Sequence, residues 1–210
     1  MNWHQQHSTN AAYTITDANT PRPVCTACLY GTMHQTPTDH RKAHRDPTTI
    51  PGQQFALDAF TNTATSSRQH RHCDLFTDLA TGQVFPVFTK DRKAVELVTK
   101  TTIFFRTHPQ WSTQQSTVTR FIRIDPESNY NSQAFLKCLS DFGYSIERTP
   151  PRDKHANGVA ERSVGSITAK TNTAMLAPTP TVPNKFWDLA MAYACHTQSF
   201  NYNKRLNDSP

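Results

Sequence analysis

Apolar side chains recur along this chain at two different spacings, and the changes of period divide it into elements. Phe55-Ala56-Leu57-Asp58-Ala59-Phe60 is a short apolar run broken by one acid, the pattern of a buried strand that carries one polar side chain. Cys73 to Leu79 and Gln83 to Thr89 read as two further strands joined through Ala80-Thr81-Gly82, with Val84, Phe85, Val87 and Phe88 in the second. The period then lengthens. Asp91 to Thr107 sets Ala94, Val95, Leu97, Val98, Thr101, Thr102 and Phe105 on a helical face, and His108-Pro109 ends it. Thr119 to Ile124 alternates as a strand and stops at Asp125-Pro126. Ser132 to Phe142 is an amphipathic helix closed by Gly143, and Tyr144 to Arg148 is a short last strand. Ala160, Val164, Ile167 and Ala174, with Met175, predict a helix after Asn157, a residue suited to cap it. Pro183 to Tyr202 predicts a final helix whose apolar positions are Phe186, Trp187, Leu189, Ala190, Tyr193, Ala194 and Phe200. This order of strands and helices predicts an α/β mixed sheet with helices on both faces.

Before Ile50 the pattern is missing. The apolar fraction of 36% is low, and most of the deficit lies in that region, so it has too little to build a core of its own. Residues 1–35 do hold His4, His7, Cys25, Cys28, Gly31 and His34. A Cys-x-x-Cys turn lets Cys25 and Cys28 converge on one zinc ion, with His4 and His7 completing a tetrahedral site and His34 as a rival ligand. An idle or redox pair is the other reading of the two thiols. Residues 36–50 form a basic linker with Arg41, Lys42, His44 and Arg45, and residues 51–210 form the core domain. The cysteine count of 5 argues against a disulfide framework and for a reducing compartment. A net charge of +6, with 10 histidines besides, suits either a polyanionic partner or a solvated basic face. No apolar run approaches the roughly 18 residues of a membrane span and no secretory core is present, so a soluble protein without a membrane partner is expected.

The chemistry gathers between Arg148 and Leu176. There a basic, Pro-broken loop with Arg152, Lys154 and His155 runs into Asn157-Gly158 and then into a helix with Glu161 near its start. Phosphate would repel that acid, and a metal ion between carboxylate and phosphate removes the conflict. Such a site needs further carboxylates. Asp125 stands at a strand end beside a chain-breaking Pro, where it can reach a cleft. Asp58 interrupts the first strand; Asp74 and Asp78, also on an apolar strand, compete with it. Arg152, Lys154, His155, Arg162 and Lys170 are candidate phosphate contacts, with Asn157 shaping the loop, against the plain alternative of a solvated basic face.

Arg123-Ile124-Asp125, Tyr130 to Phe135, Asn157-Gly158-Val159-Ala160-Glu161-Arg162, Phe186-Trp187 with Ala190, and Asn203 to Pro210 together resemble the catalytic domain of copia-type retrotransposon integrases. Cys25-x-x-Cys28-x-x-Gly31 resembles the zinc-binding segment that precedes it, so the resemblance covers nearly the whole chain. It implies an RNase H-like fold: a mixed five-stranded sheet with helices on both faces, preceded by a small zinc-binding segment. It implies that Asp58, Asp125 and Glu161 are the catalytic, metal-binding acids, with Asp58 bridging two Mg²⁺ or Mn²⁺ ions, and that structural Zn²⁺ is held by Cys25, Cys28, His4 and His7. The implied reaction transfers a DNA 3′-hydroxyl onto a target phosphodiester. The implied partners are element ends and target DNA, and the resemblance further implies a homo-oligomer that acts in the nucleus after a cytoplasmic particle stage. The alternative is an inactive integrase-derived module that binds zinc and DNA. The chain departs from the family at Pro126-Glu127-Ser128-Asn129, where a Gly-rich turn ending in an acid is common, and at His155-Ala156. The zinc segment is expected to be truncated, and the chain to be a fragment of a polyprotein or a relic copy.

Overall fold

The computed structural model describes residues 48, 50–111, 119–125, 129–148, 158–178 and 180–200. His4, His7, Cys25, Cys28 and His34 lie outside the described residues, as do Arg152, Lys154, His155 and Asn157. Within them, five strands form one sheet: β1 (Gln54–Thr61), β2 (His72–Asp78), β3 (Val84–Thr89), β4 (Arg120–Ile124) and β5 (Tyr144–Arg148). Four α-helices accompany it: α1 (Ala94–Thr107), α2 (Gln133–Asp141), α3 (Gly158–Leu176) and α4 (Trp187–Gln198). The spatial order is β3-β2-β1-β4-β5; β1, β2 and β3 pair antiparallel, while β4 runs parallel to both β1 and β5.

Alternation of side chains across the pleat gives the sheet two apolar faces. Phe55 and Leu57 of β1, Phe76 of β2, Val87 of β3, and Ile122 and Ile124 of β4 enter one core with Leu97, Phe104 and Phe105 of α1 and Phe135 and Leu139 of α2. Cys73 and Leu75 of β2 and Val84 of β3 enter the other, with Ile167 of α3 and Trp187, Met191, Ala194 and Cys195 of α4. A sheet buried on both faces needs helices on both, which is why the chain alternates strand and helix after β3.

Helix ends follow local chemistry. Ser132 caps α2, its hydroxyl accepting from the Phe135 N–H, so the helix starts one residue after the expected Ser132. α1 starts at Ala94 rather than at Asp91, because Glu96 turns its carboxylate back to accept from the Lys90 and Asp91 N–H groups and holds that stretch as a loop.

The final helix departs furthest from expectation. Residues Asn184–Phe186 form a separate 3₁₀ turn, and α4 buries Trp187, Asp188, Met191, Ala194 and Cys195, whereas Leu189, Tyr193 and Phe200 are exposed. The buried stripe is displaced because Asp188 must reach His70, whose Nδ1 stands 2.8 Å from Asp188 Oδ2. The Trp187 indole N–H donates to Ala64 O at 3.0 Å from the same end, so α4 clamps the loop between β1 and β2.

Asp78, a rival for the first catalytic position, is spent on the fold. It is fully buried, and its carboxylate accepts from the N–H groups of Gly52, Ala80 and Thr81 and from the Thr81 hydroxyl at 2.7 Å. It closes the β2–β3 turn and fastens the chain entering β1. Gly52 sits there at φ +72°, against the Trp111 ring, where any Cβ would stand 2.2 Å from a ring carbon.

Candidate active site

The parallel pair β1–β4 creates the site. Its register ends at Ala56 opposite Arg123. Carried on by two residues, that register sets Asp58 beside Asp125, on neighbouring strands roughly 4.8 Å apart. The pleat puts both on the face covered by α3 and α4, since Asp58 pairs with Leu75 and Phe60 with Cys73 in that core. β4 ends at Ile124, so Asp125 is exposed just past the carboxyl end of its strand, the end at which sites form in parallel sheets.

α3 supplies the third acid. It packs across β1 and β2 and buries Ala160, Ile167 and Thr171, and its first turn brings Glu161 near enough for its charge to act on Asp58. Glu161 follows the buried Ala160 and is itself exposed. Asp58 registers both neighbours electrically. Burial pushes its carboxyl above the ordinary aspartate range; the Ala59 N–H, donating to Oδ1 at 2.8 Å, opposes this, and the negative charges of Glu161 and Asp125 add to the rise.

The carboxylates fit a divalent cation in kind, since hard oxygen donors that repel one another are relieved by a charge placed between them. Their present spacing is wider than a closed site. Among the described residues, no three Asp, Glu, His or Cys side chains stand close enough to grip one ion as they lie. The two observations concern different ranges, because charges act over several ångströms whereas ligation needs contact at about 2 Å. Glu161 and Asp125 are thus near enough for their charges to act on Asp58, at a spacing too wide to share one ion as they lie.

Other residues sort themselves by position. Asp74, the second rival for the first position, points to the opposite face of the sheet: it pairs with Ala59, is buried, and accepts from the Tyr130 hydroxyl at 2.6 Å. Burial pushes its carboxyl up to about 6, against the Tyr130 hydrogen bond and the positive charge of Arg92. Arg162 is exposed on α3 beside Glu161 and lines a cavity of about 150 Å³ with Val84, Ser163, Ser166 and Gln198. Lys170 is half-buried against α4. It donates to Gln198 Oε1 on α4, and burial lowers its pKa.

The sequence reading missed Arg92. It follows β3 on a loop held by Glu96 and Asp91, is exposed, and offers positive charge to both Asp58 and Asp74. The run Lys90-Asp91-Arg92-Lys93 at a strand end was the available signal.

The fold recurs in solved structures. The chain aligns with a protein of the simian T-cell lymphotropic virus intasome, solved in complex with PP2A regulatory subunit B56 gamma, at TM-score 0.62 and 17% identity over 84% of this chain. It also aligns with the HTLV-2 integrase catalytic core domain, solved with magnesium in a trimeric form, at TM-score 0.55 and 16% identity, covering 76% of this chain and 94% of that one. The chain has the RNase H-like fold of an integrase catalytic core. It spans 58% of the length of the intasome protein. No protein-family model matches the chain, and no curated protein sequence matches it. At these identities the likeness is one of fold, and the integrase-core architecture rests on the sheet order and on the helices covering both faces.

Proposed function

We propose that the chain is the catalytic portion of a copia-type retrotransposon integrase, which transfers a DNA 3′-hydroxyl onto a phosphodiester of target DNA. The observation that carries this reading is the convergence of Asp125 and Glu161 on Asp58 at the mouth of an integrase-type sheet. Asp58, Asp125 and Glu161 would hold the divalent cations, Mg²⁺ or Mn²⁺, with Asp58 in the middle as the residue that feels both others. Asp125 and Glu161 are exposed, where a cation can reach them. When bound, such a pair of ions supplies the charge that makes a hydroxyl more nucleophilic and stabilises the departing oxygen. Arg92, whose charge acts on Asp58, and Arg162, next to Glu161 in the chain, are both exposed and would pair with phosphates, each neutralised charge adding to the salt dependence of binding. The HTLV-2 core was solved with magnesium, which supports the choice of a hard cation here. Joining two DNA ends calls for more than one copy of the chain, and the substrate places the reaction in the nucleus. Structural zinc at Cys25 and Cys28, with His4 and His7, belongs to the same proposal.

The second reading, an integrase-derived module that binds DNA without joining it, is favoured by the open spacing of the acids. Strand transfer with labelled oligonucleotides separates the two. Joining is expected with Mg²⁺ or Mn²⁺ and not with chelator, and Glu161→Gln should abolish it while leaving DNA binding within about twofold, since one exposed side chain is altered and no phosphate contact is removed. DNA binding without joining in the unaltered protein would establish the second reading.

A further inference from the structure

Two aspartates on neighbouring strands are held at a fixed spacing only as far as something holds the strands. Here the β1–β4 ladder ends at Ala56 and Arg123, two positions short of both Asp58 and Asp125. Beyond that point β1 continues with β2 alone, Ala59 pairing with Asp74 and Thr61 with His72, and β4 ends at Ile124. Asp125 therefore lies past the last strand pairing that ties its chain to that of Asp58.

A different bond spans the gap. Tyr130, five positions after Asp125 in the sequence, is 1% exposed and donates its hydroxyl to Asp74 Oδ1 at 2.6 Å. Asp74 is 4% exposed and faces Ala59, the neighbour of Asp58. On its other side Tyr130 packs against Phe135 with ring centroids 5.5 Å apart, and Ser132 caps the helix that carries Phe135. The Tyr130–Asp74 bond thus fastens the chain leaving Asp125 to the strand beside Asp58. Burying a carboxylate is costly, and among the described residues Asp74 has no salt-bridge partner. An apolar side chain of similar size would fill the space at less cost, and it would not hold Tyr130.

We propose that Tyr130 and Asp74 are a positioning pair that sets the spacing between Asp58 and Asp125. Neither touches substrate. This rests on the metal-site reading above, and its test is arranged so that the two can fail separately. Mn²⁺ binding is measured by calorimetry on the unaltered protein, Tyr130→Phe, Asp74→Asn and the double variant Tyr130→Phe/Asp74→Ala, with hydrogen exchange followed on the same samples.

Tyr130→Phe is expected to weaken Mn²⁺ binding by about tenfold or more, the range seen when a partner that orients a metal ligand is lost. Asp74→Asn keeps an oxygen that accepts from Tyr130 and should bind within about threefold of the unaltered protein, since the bond and not the charge does the holding. The double variant should be no worse than Tyr130→Phe, because both changes break one interaction. Exchange in Tyr130→Phe should quicken around Asp125 and Tyr130 and stay unchanged in β2 and β3. Unaltered Mn²⁺ affinity in Tyr130→Phe overturns the pair and leaves the metal site standing. If the unaltered protein binds no Mn²⁺, the metal reading falls and exchange alone decides the pair: local quickening sustains it, and unchanged or uniform exchange overturns it.

Discussion

Asp58→Asn is expected to lower metal-dependent joining by at least about 10³-fold, the scale of removing one member of a group that acts as a unit, while leaving the protein no less stable. The two effects have one cause. Asp58 is half-buried and repelled by Glu161 and Asp125, so its charge is tolerated by the folded chain and not favoured by it. Its folded pKa is raised above the unfolded value; the ionised form is the one that folding disfavours. Below the unfolded value, near pH 4, both states carry the proton and the variant gains nothing. As pH rises from there through the raised folded value, the unaltered protein loses stability that Asp58→Asn retains. Denaturation of both proteins at pH 3.5 and pH 7, roughly on either side of the unfolded value, reads the sign directly. A variant that keeps its joining rate, or that is less stable at the higher pH, would remove Asp58 from the site.

Phe55→Ala should cost about 3 to 5 kcal/mol of folding stability, from lost burial and from the cavity left behind. Phe55 is fully buried on β1, and its ring meets those of Phe76, Phe85, Phe104, Trp111 and Tyr144 at centroid distances of 6.2, 6.4, 6.2, 5.4 and 5.9 Å. Five aromatic neighbours from four elements and a turn cannot collapse together into the space of one ring. A domain holds about 5 to 15 kcal/mol in total, so the variant should unfold at far lower denaturant, with an unchanged slope. Because Phe55 is three residues from Asp58, residual joining at low temperature should fall with the folded fraction and no faster. A loss below about 1 kcal/mol would mean that the aromatic cluster is loosely packed.

Much of this architecture was readable from periodicity. Five strands and their neighbouring helices stand where the changes of spacing put them, because a sheet covered on both faces writes long apolar runs into its strands. The proposed acids stand out in the sequence for a related reason. Asp58 interrupts such a run, Asp125 follows one, and Glu161 opens a helix next to a buried Ala160. The outward face of α4 was misread, since Leu189 and Tyr193 share helical spacing with each other and only the distant His70 draws Asp188, and not them, inward. Asp74 looked like a rival of Asp58, and the β1–β2 register places the two on opposite faces. Nothing local in the sequence links Tyr130 to Asp74 across 56 positions. Arg92 was hidden in a charged loop whose own acids, Asp91 and Glu96, make it look like ordinary solvated surface.

A crystal structure of the protein soaked in Mn²⁺, with the metal located by its anomalous scattering, tests the central claim most directly. Density is expected between Asp58, Asp125 and Glu161, with carboxylate oxygens from all three at about 2.0 to 2.2 Å from metal, the range for small divalent cations bound by oxygen. Anomalous density elsewhere, or none at saturating Mn²⁺ while the three side chains keep their open spacing, would contradict it.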